Sequence, residues 1–371
     1  MKSISRTLRF LPFLALLAPQ VFAGEQWTPE QAKAWAKTQP WRAGSNFSPS
    51  TAINQLEMWQ AETFDPATID RELGWAAGIG MNTARVFLHD LLWEQDSEGL
   101  LKRMDQFLTI ADKHKIGIMF VLFDDVWDPS PKLGTQRAPK PHVHNSGWVQ
   151  SPGKEVLSDD AKRAALEPYV KGVLTRFKDD KRVIVWDLYN EPGNPNKSAY
   201  GSVELEDKPK YSLDLVQKSF KWAWDIRPSQ PLTIGVWTND WSTKDKRDAL
   251  NAYQLDHSDV VTYHVYGDLA KTKAATEPLF EYGRPVICTE YLARPAGSRL
   301  QDILPYLKEK GVDAYQWGLV AGKTQTQYPW DSWKQTYTEE PKVWFHEVFH
   351  KDGKPYDKEE TDLYKKLTAK P

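Results

Sequence analysis

The sequence predicts an α/β fold: a single-domain (β/α)8 barrel of the TIM type, with a long loop after the third strand. Three observations point there. Short apolar, β-branched runs alternate with segments of helical periodicity eight times along the chain. Some of these runs, such as Ile116–Phe123 and Val183–Trp186, are apolar nearly throughout, which suits parallel strands buried on both faces. The alternative, an open doubly wound sheet, lacks its usual mark: Gly44-Ser45-Asn46 is not a glycine-rich phosphate turn. The 371 residues exceed the roughly 250 of a bare barrel and leave about a hundred for loops and ends.

Residues 1–23 read as an export signal. Lys2, Arg6 and Arg9 give a positive start, Phe10–Ala18 a short apolar core, and Val21-Phe22-Ala23 a cleavage site before Gly24. The apolar run is too short to span a bilayer, and no Cys follows the cleavage point to carry a lipid. The barrel is therefore expected over 24–371, in the periplasm or outside the cell, with no membrane attachment after cleavage.

The elements then follow in order. Thr28, Pro29 and Gln31 form the start of a first helix, with a capping box. Trp41–Phe47 is a first strand. Asp65-Pro66 opens a helix with Ile69, Leu73 and Ala76 on one face, ended by Gly78 and Gly80, before a second strand over Asn82–Leu88. Leu101, Met104, Leu108 and Ala111 recur at helical spacing, with Lys113 and Lys115 suited to the helix's C-terminal end. Ile116–Phe123 is the third strand. From Asp124 to Leu157 the chain is rich in Pro, Gly and His without periodicity, and loops this long are usually functional or disordered.

Asp159–Phe177 is predicted helical and leads to the fourth strand at Val183. A helix around Leu213–Trp224, a fifth strand at Leu232–Val236 and a helix at Lys244–Tyr253 follow. Val260–Val265 is the sixth strand, Glu277–Tyr282 ends a helix, and Val286–Thr289 is the seventh strand. Arg299–Lys310 is helical and Ala314–Trp317 is a short eighth strand. The tail after Trp330 is expected to be partly helical.

Composition narrows the function. The formal net charge is −2 with no long single-sign block, so neither nucleic acid nor an anionic membrane is an expected partner. The chain carries 17 Trp, 15 Tyr and 14 Phe, many near strand ends, where flat apolar rings suit the C–H faces of sugars. The single Cys288 has no disulfide partner and lies in a strand, as a buried filler. His142 and His144 alternate on an extended segment, but no third ligand stands nearby. No metal and no cofactor are expected, and these residues are placed along the cleft.

In a parallel barrel the carboxyl ends of the strands share one mouth, where active sites sit. Asn46, Arg85, Asp124, Asn190, Glu191, Trp237, His264, Tyr266, Glu290 and Trp317 fall there. Two carboxylates on strands four and seven face each other. Retaining glycoside hydrolysis needs such a pair about 5–5.5 Å apart, one giving a proton to the leaving oxygen and one attacking the anomeric carbon.

Asn190-Glu191-Pro192, Glu290 at its strand end, His264-x-Tyr266, Arg85 and Trp317 resemble, as a set, the clan A glycoside hydrolases. Family five, of cellulases and mannanases, is the most similar. The resemblance implies Glu191 as general acid/base and Glu290 as nucleophile. It implies Asn190 as the contact to the sugar 2-hydroxyl, with Tyr266 and Arg85 holding the nucleophile ionised. His264 would touch substrate or support the acid, and Trp317 would lie beneath the cleaved sugar. Asp124, Trp237 and Asn46 join these as substrate contacts. By residue type alone, Arg85 and Glu290 also read as a structural ion pair, His264 as a core histidine, and Trp317 as packing.

The sequence departs from the family at the end of the third strand. There Phe123-Asp124-Asp125-Val126-Trp127 stands where many relatives carry a His. Tyr291–Pro295, after the nucleophile, is also not the commonest continuation. The implied function is an exported, monomeric, retaining β-glycoside hydrolase acting on cellulose-, mannan- or xylan-type polysaccharide or its oligosaccharides. A transglycosylase on the same site and a non-catalytic sugar-binding barrel are the alternatives. Sugar, linkage and endo or exo action stay open.

Overall fold

The computed structural model describes residues 24–369. The export signal expected over 1–23 lies outside the described residues. Eight parallel strands form one sheet: β1 Ala43–Asn46, β2 Thr83–Phe87, β3 Gly117–Asp124, β4 Val183–Asn190, β5 Leu232–Thr233, β6 Val261–His264, β7 Val286–Glu290 and β8 Asp313–Gln316. Their order is β5-β4-β3-β2-β1-β8-β7-β6. A single parallel bridge between Val236 and Tyr263 closes the remaining seam. The barrel predicted from the alternation of runs is the barrel observed. Among the described residues, no helix is long and apolar enough to cross a membrane.

The interior is built in layers. Met119, Ile184, Val185, Val260, Ile287 and Tyr315 form a small apolar cluster at the strands' amino end, with Trp35 of the first helix packed against it. Hydroxyls pair between strands: Thr83 Oγ1 with the Tyr315 hydroxyl at 2.8 Å, and Thr233 Oγ1 with Thr262 Oγ1 at 2.8 Å. Gly44 lets β1 lie against β2, because a Cβ there would sit 1.8 Å from the Thr83 carbonyl oxygen. The main core lies between the strands' outer faces and the helices. Cys288 is buried in β7 as expected, and burial pushes its thiol up to about 12.

The capping box at Thr28 and Gln31 is present, and Asp65 caps the helix Pro66–Gly78 through the Thr68 N–H. Other elements differ from the sequence reading. β5 is two residues long rather than five, with Gly235 pressed against Thr262, where a Cβ would lie 2.8 Å from its hydroxyl. The helix expected over Asp159–Phe177 is two helices, Asp160–Ala164 and Glu167–Phe177, because Pro168 has no N–H to continue the first. Lys244–Lys246 is a 3-10 turn, and the helix proper, Ala249–His257, begins after the Asp248 cap. Glu277–Tyr282 is 3-10 throughout. The helix before β3 starts at Asp90, well before its apolar periodicity begins, and is kinked at Asp96. The tail holds one 3-10 turn, Trp330–Trp333, and one α-helix, Lys358–Thr368.

Two buried carboxyls, Asp313 at the start of β8 and Glu347 in the tail, make stability depend on pH. Burial pushes Asp313 up to about 6 against the pull of Arg42, and Glu347 up to about 8 against its bond from Thr326. Each binds its proton more tightly folded than unfolded, where a carboxyl titrates near about 4. Their contribution is complete below that value and is lost as pH rises through about 6 and then about 8. Buried His144 and His264, held down to about 4, add stability as pH rises toward the unfolded histidine value, so the fall in melting temperature is expected above that, between about pH 7 and 9, with Glu347→Gln flattening it. A melting temperature that climbs over that range would contradict this account.

Candidate active site

β4 ends at Asn190, and Glu191 follows in the left-handed region with φ 43°. That conformation is uncommon for a residue with a Cβ. β7 ends at Glu290, which pairs across the sheet with His264 at the end of β6. These ends bring Glu191, His264 and Glu290 together, with one oxygen or ring nitrogen from each within 4.8 Å of the others. His264 Nδ1 lies 2.9 Å from Glu191 Oε1 and 3.5 Å from Glu290 Oε2.

Arg85, from β2, organises the floor beneath them. Its guanidinium is fully buried. It donates from Nη1 to Glu290 Oε1 at 3.0 Å and to Asn46 Oδ1 at 2.8 Å. It donates from Nη2 to Asn190 Oδ1 at 2.7 Å. Nε and Nη2 both reach Asp187 Oδ2, at 3.0 and 2.7 Å. A buried cation needs this full set of partners. The other oxygen of Glu290 accepts from the Tyr266 hydroxyl at 2.7 Å. Glu191 accepts from Asn194 Nδ2 at 2.6 Å.

The two carboxyls are held differently. Burial pushes Glu191 up to about 7, opposed by the Asn194 bond and, from further off, by Arg85. Burial also raises Glu290, where the sequence reading expects a neighbouring cation to lower it. Desolvation outweighs the cation here. Arg85 and Tyr266 both favour its ionised form through direct contacts that Glu191 lacks, against the raising effect of a charged Glu191 beside it. His264 is pushed down to about 4 by burial and is neutral near neutral pH. Tyr266 is raised well above its usual value by burial and keeps its proton.

Of the residues placed at the mouth by sequence, Asn190, Glu191, Trp237, His264, Tyr266, Glu290 and Trp317 line one cavity of about 990 Å³. Arg85 and Asp124 do not and are fully buried, which corrects their placement as substrate contacts; Asn46, absent from that lining, borders a small second cavity beside Trp317. Asn46 is turned inward, donating to the Thr289 and Gln316 carbonyls at 2.8 and 3.1 Å. Asp124 is fully buried and accepts from Trp148 Nε1 at 2.7 Å, Asn190 Nδ2 at 2.9 Å and Gln55 Nε2 at 3.1 Å. Asp124 thus orients Asn190 from behind, and Asn46 accepts from Arg85.

Trp317 packs edge-on against Phe87 and Trp148, so it is braced while one face stays open to the cavity. Trp237 lies along the opposite side, with Nε1 3.2 Å from the Pro192 carbonyl oxygen. His144 lines the cavity, whereas His142 packs on Tyr328, so the two do not act as a ligand pair. Glu191, His264 and Glu290 have the spacing of a cation site. Their atoms are already engaged with one another and with Asn194, Tyr266 and the Arg85 cation, which opposes a metal.

Sequence reasoning missed several neighbours. Asp187 is the counter-ion of Arg85, and its one signal was a charge inside an apolar strand. Asp125 accepts from Tyr189, Ser212 and the Gly193 N–H at 2.7, 2.7 and 2.6 Å, and so ties down the loop after Glu191. Trp127, Trp330 and His346 also line the cavity. They come from loops without periodicity; Trp127 stood in the stretch that departs from the family after β3, and no sequence signal marked Trp330 or His346.

The model of the cellulase family, glycosyl hydrolase family 5, matches residues 75–340. A probable mannan endo-1,4-beta-mannosidase A of Aspergillus flavus is 27% identical over 122 residues, 32% of this chain and 29% of that protein. The matched stretch thus spans under a third of that relative's length. Mannan endo-1,4-beta-mannosidase 8 of Oryza sativa subsp. japonica is 23% identical over 260 residues, 62% of this chain and 67% of that protein. Among solved structures, a variant of the GH5_18 protein of Streptomyces cattleya in complex with Manb1-4GlcNAc superposes with a TM-score of 0.57 at 12% identity, covering 88% of this chain and 80% of that one.

Proposed function

This chain belongs to glycosyl hydrolase family 5, and on that premise we propose that it is an exported enzyme hydrolysing β-linked mannosides with retention of configuration. The observation that carries the mechanism is the separation of its two carboxyls. Oxygens of Glu191 and Glu290 lie within 4.8 Å. An inverting enzyme keeps its pair about 6.5–9.5 Å apart to seat a water between them.

In the first step a Glu290 oxygen bonds to the anomeric carbon as the glycosidic bond breaks, and Glu191 gives its proton to the departing oxygen. In the second, ionised Glu191 takes a proton from water. The water oxygen bonds to the same carbon, and Glu290 leaves as carboxylate. Two inversions give net retention. Asn190 supports both steps. Arg85 and Asp124 hold its amide at both ends, and one N–H remains for the sugar 2-hydroxyl, where a bond strengthens as positive charge develops.

The mannoside assignment draws on the relatives named above. Export rests on the charged start, the apolar core and the Val21-Phe22-Ala23 site. The test is a panel of aryl β-glycosides and β-linked mannan, glucan and xylan oligosaccharides, with proton NMR of the first product. Mannosides should be cleaved fastest and the β-anomer should appear first. Early α-anomer would sink the double displacement. Preference for a glucoside or xyloside would overturn the substrate.

A further inference from the structure

We propose, building on the hydrolase reading above, that the cleft is walled off on the side of the sugar being cleaved. The enzyme then works from non-reducing ends and releases one sugar at a time from β-mannosidic chains.

The cavity is one-sided. Among the described residues, its lining comes from the ends of β4, β6 and β7 and from the loops after β3, β4, β5, β6 and β8, and none comes from the loops after β1 and β2. That sector is covered by three loops bonded to one another. The β3 loop is joined to the β8 loop by Asn145 N–H to the Thr324 carbonyl at 2.7 Å and by Gln325 Nε2 to the Lys140 carbonyl at 2.7 Å. Two more bonds lie deeper, His144 N–H to Ser332 Oγ at 2.9 Å and Trp333 Nε1 to the His144 carbonyl at 2.8 Å. The β1 loop joins both partners, through Asn54 Nδ2 to the Gly147 carbonyl at 2.8 Å and through its Ser50 carbonyl, which accepts from the Lys323 N–H at 3.0 Å. Trp127 stacks on Trp333 across the same seam. Backbone groups bonded at this density make a fixed wall rather than a flap.

The chemistry says which side the wall closes. Glu191 protonates the departing oxygen, so the leaving chain lies on its side, toward Pro192–Ser198 and Trp237–Trp241, where the cavity continues. The sugar attacked by Glu290 lies the other way, over Trp317 and against the wall. There is little depth there. Tyr266 bonds Glu290 directly, and the Trp330 ring stands perpendicular to Tyr266 with centroids 5.1 Å apart. The Trp330 end of the wall thus stands one ring beyond the nucleophile's own partner, and we place a single pyranose in the space before it. At this end the buried His346 gives Nδ1 to the Leu292 carbonyl, while its Nε2 has no partner among the described residues. A neutral Nε2 is an acceptor for a hydroxyl of a terminal sugar.

The test uses the full protein with mannopentaose labelled at its reducing end, beside an aryl β-mannoside. The labelled products should shorten by one sugar at a time, with free mannose as partner and no early fall in the viscosity of soluble mannan. Mannopentaose whose non-reducing ring carries a 4,6-acetal should react at least roughly 100-fold more slowly, because the blocked ring meets the wall. Early labelled disaccharide or trisaccharide, or equal rates on blocked and free substrate, would overturn the wall while leaving the hydrolase reading intact. If neither mannopentaose nor the aryl mannoside is cleaved, the hydrolase reading itself fails, and this inference with it.

Discussion

Glu290→Gln is expected to lower kcat/KM on an aryl β-mannoside by roughly four orders of magnitude or more, with the fold unchanged. The carboxamide keeps the volume of the side chain but cannot form the glycosyl ester. The fold survives because Arg85 stays paired: Asp187, Asn46 and Asn190 still take its other N–H groups. A melting temperature close to that of the parent would show this. Glu290→Gly should then be rescued by azide, which fills the vacated space and attacks from the nucleophile's face. The product is a glycosyl azide of inverted, α configuration. Wild-type turnover in Glu290→Gln, or a β-azide from Glu290→Gly, would remove Glu290 from the role of nucleophile.

The parts of this site that were legible in the sequence are those whose signal is local. A continuous apolar run marks β3 and β4 as strands buried on both faces, and Glu191 and Glu290 stand at the point where such runs stop. Side-chain direction was the weak point. Asn46 ends β1 but Arg85 stands in the middle of β2, and both turn into the barrel, because adjacent strand residues face opposite ways and the interior phase is set by eight strands together. Asp124 was misread for a related reason. Its environment comes from Gln55 and Trp148, far off in sequence. The wall was the least legible part of all. Its bonds join the loops after β1, β3 and β8, where no periodicity constrains the chain and every bond uses at least one backbone group, which any residue carries.

The second large effect concerns Glu191. With the parent enzyme, activity should fall as pH rises through about 7, because the working form of Glu191 carries its proton and burial holds that proton to about 7. The neighbouring imidazole does not supply this limb, since His264 is already neutral above about 4. In Glu191→Ala the limb should vanish. The loss of rate should also depend on the leaving group. A poor leaving alcohol needs the proton, and its release should slow by roughly 10²–10⁴-fold. A dinitrophenolate departs without one, so formation of the glycosyl ester should be nearly unaffected and the ester should accumulate. Azide then attacks that ester in place of activated water, and its product has the β configuration, opposite to the azide formed by Glu290→Gly. The paired stereochemistry separates the two glutamates more sharply than either loss of rate, because a misfolded variant gives neither azide. If Glu191→Ala keeps the limb near about pH 7, or slows both leaving groups equally, another residue is the acid.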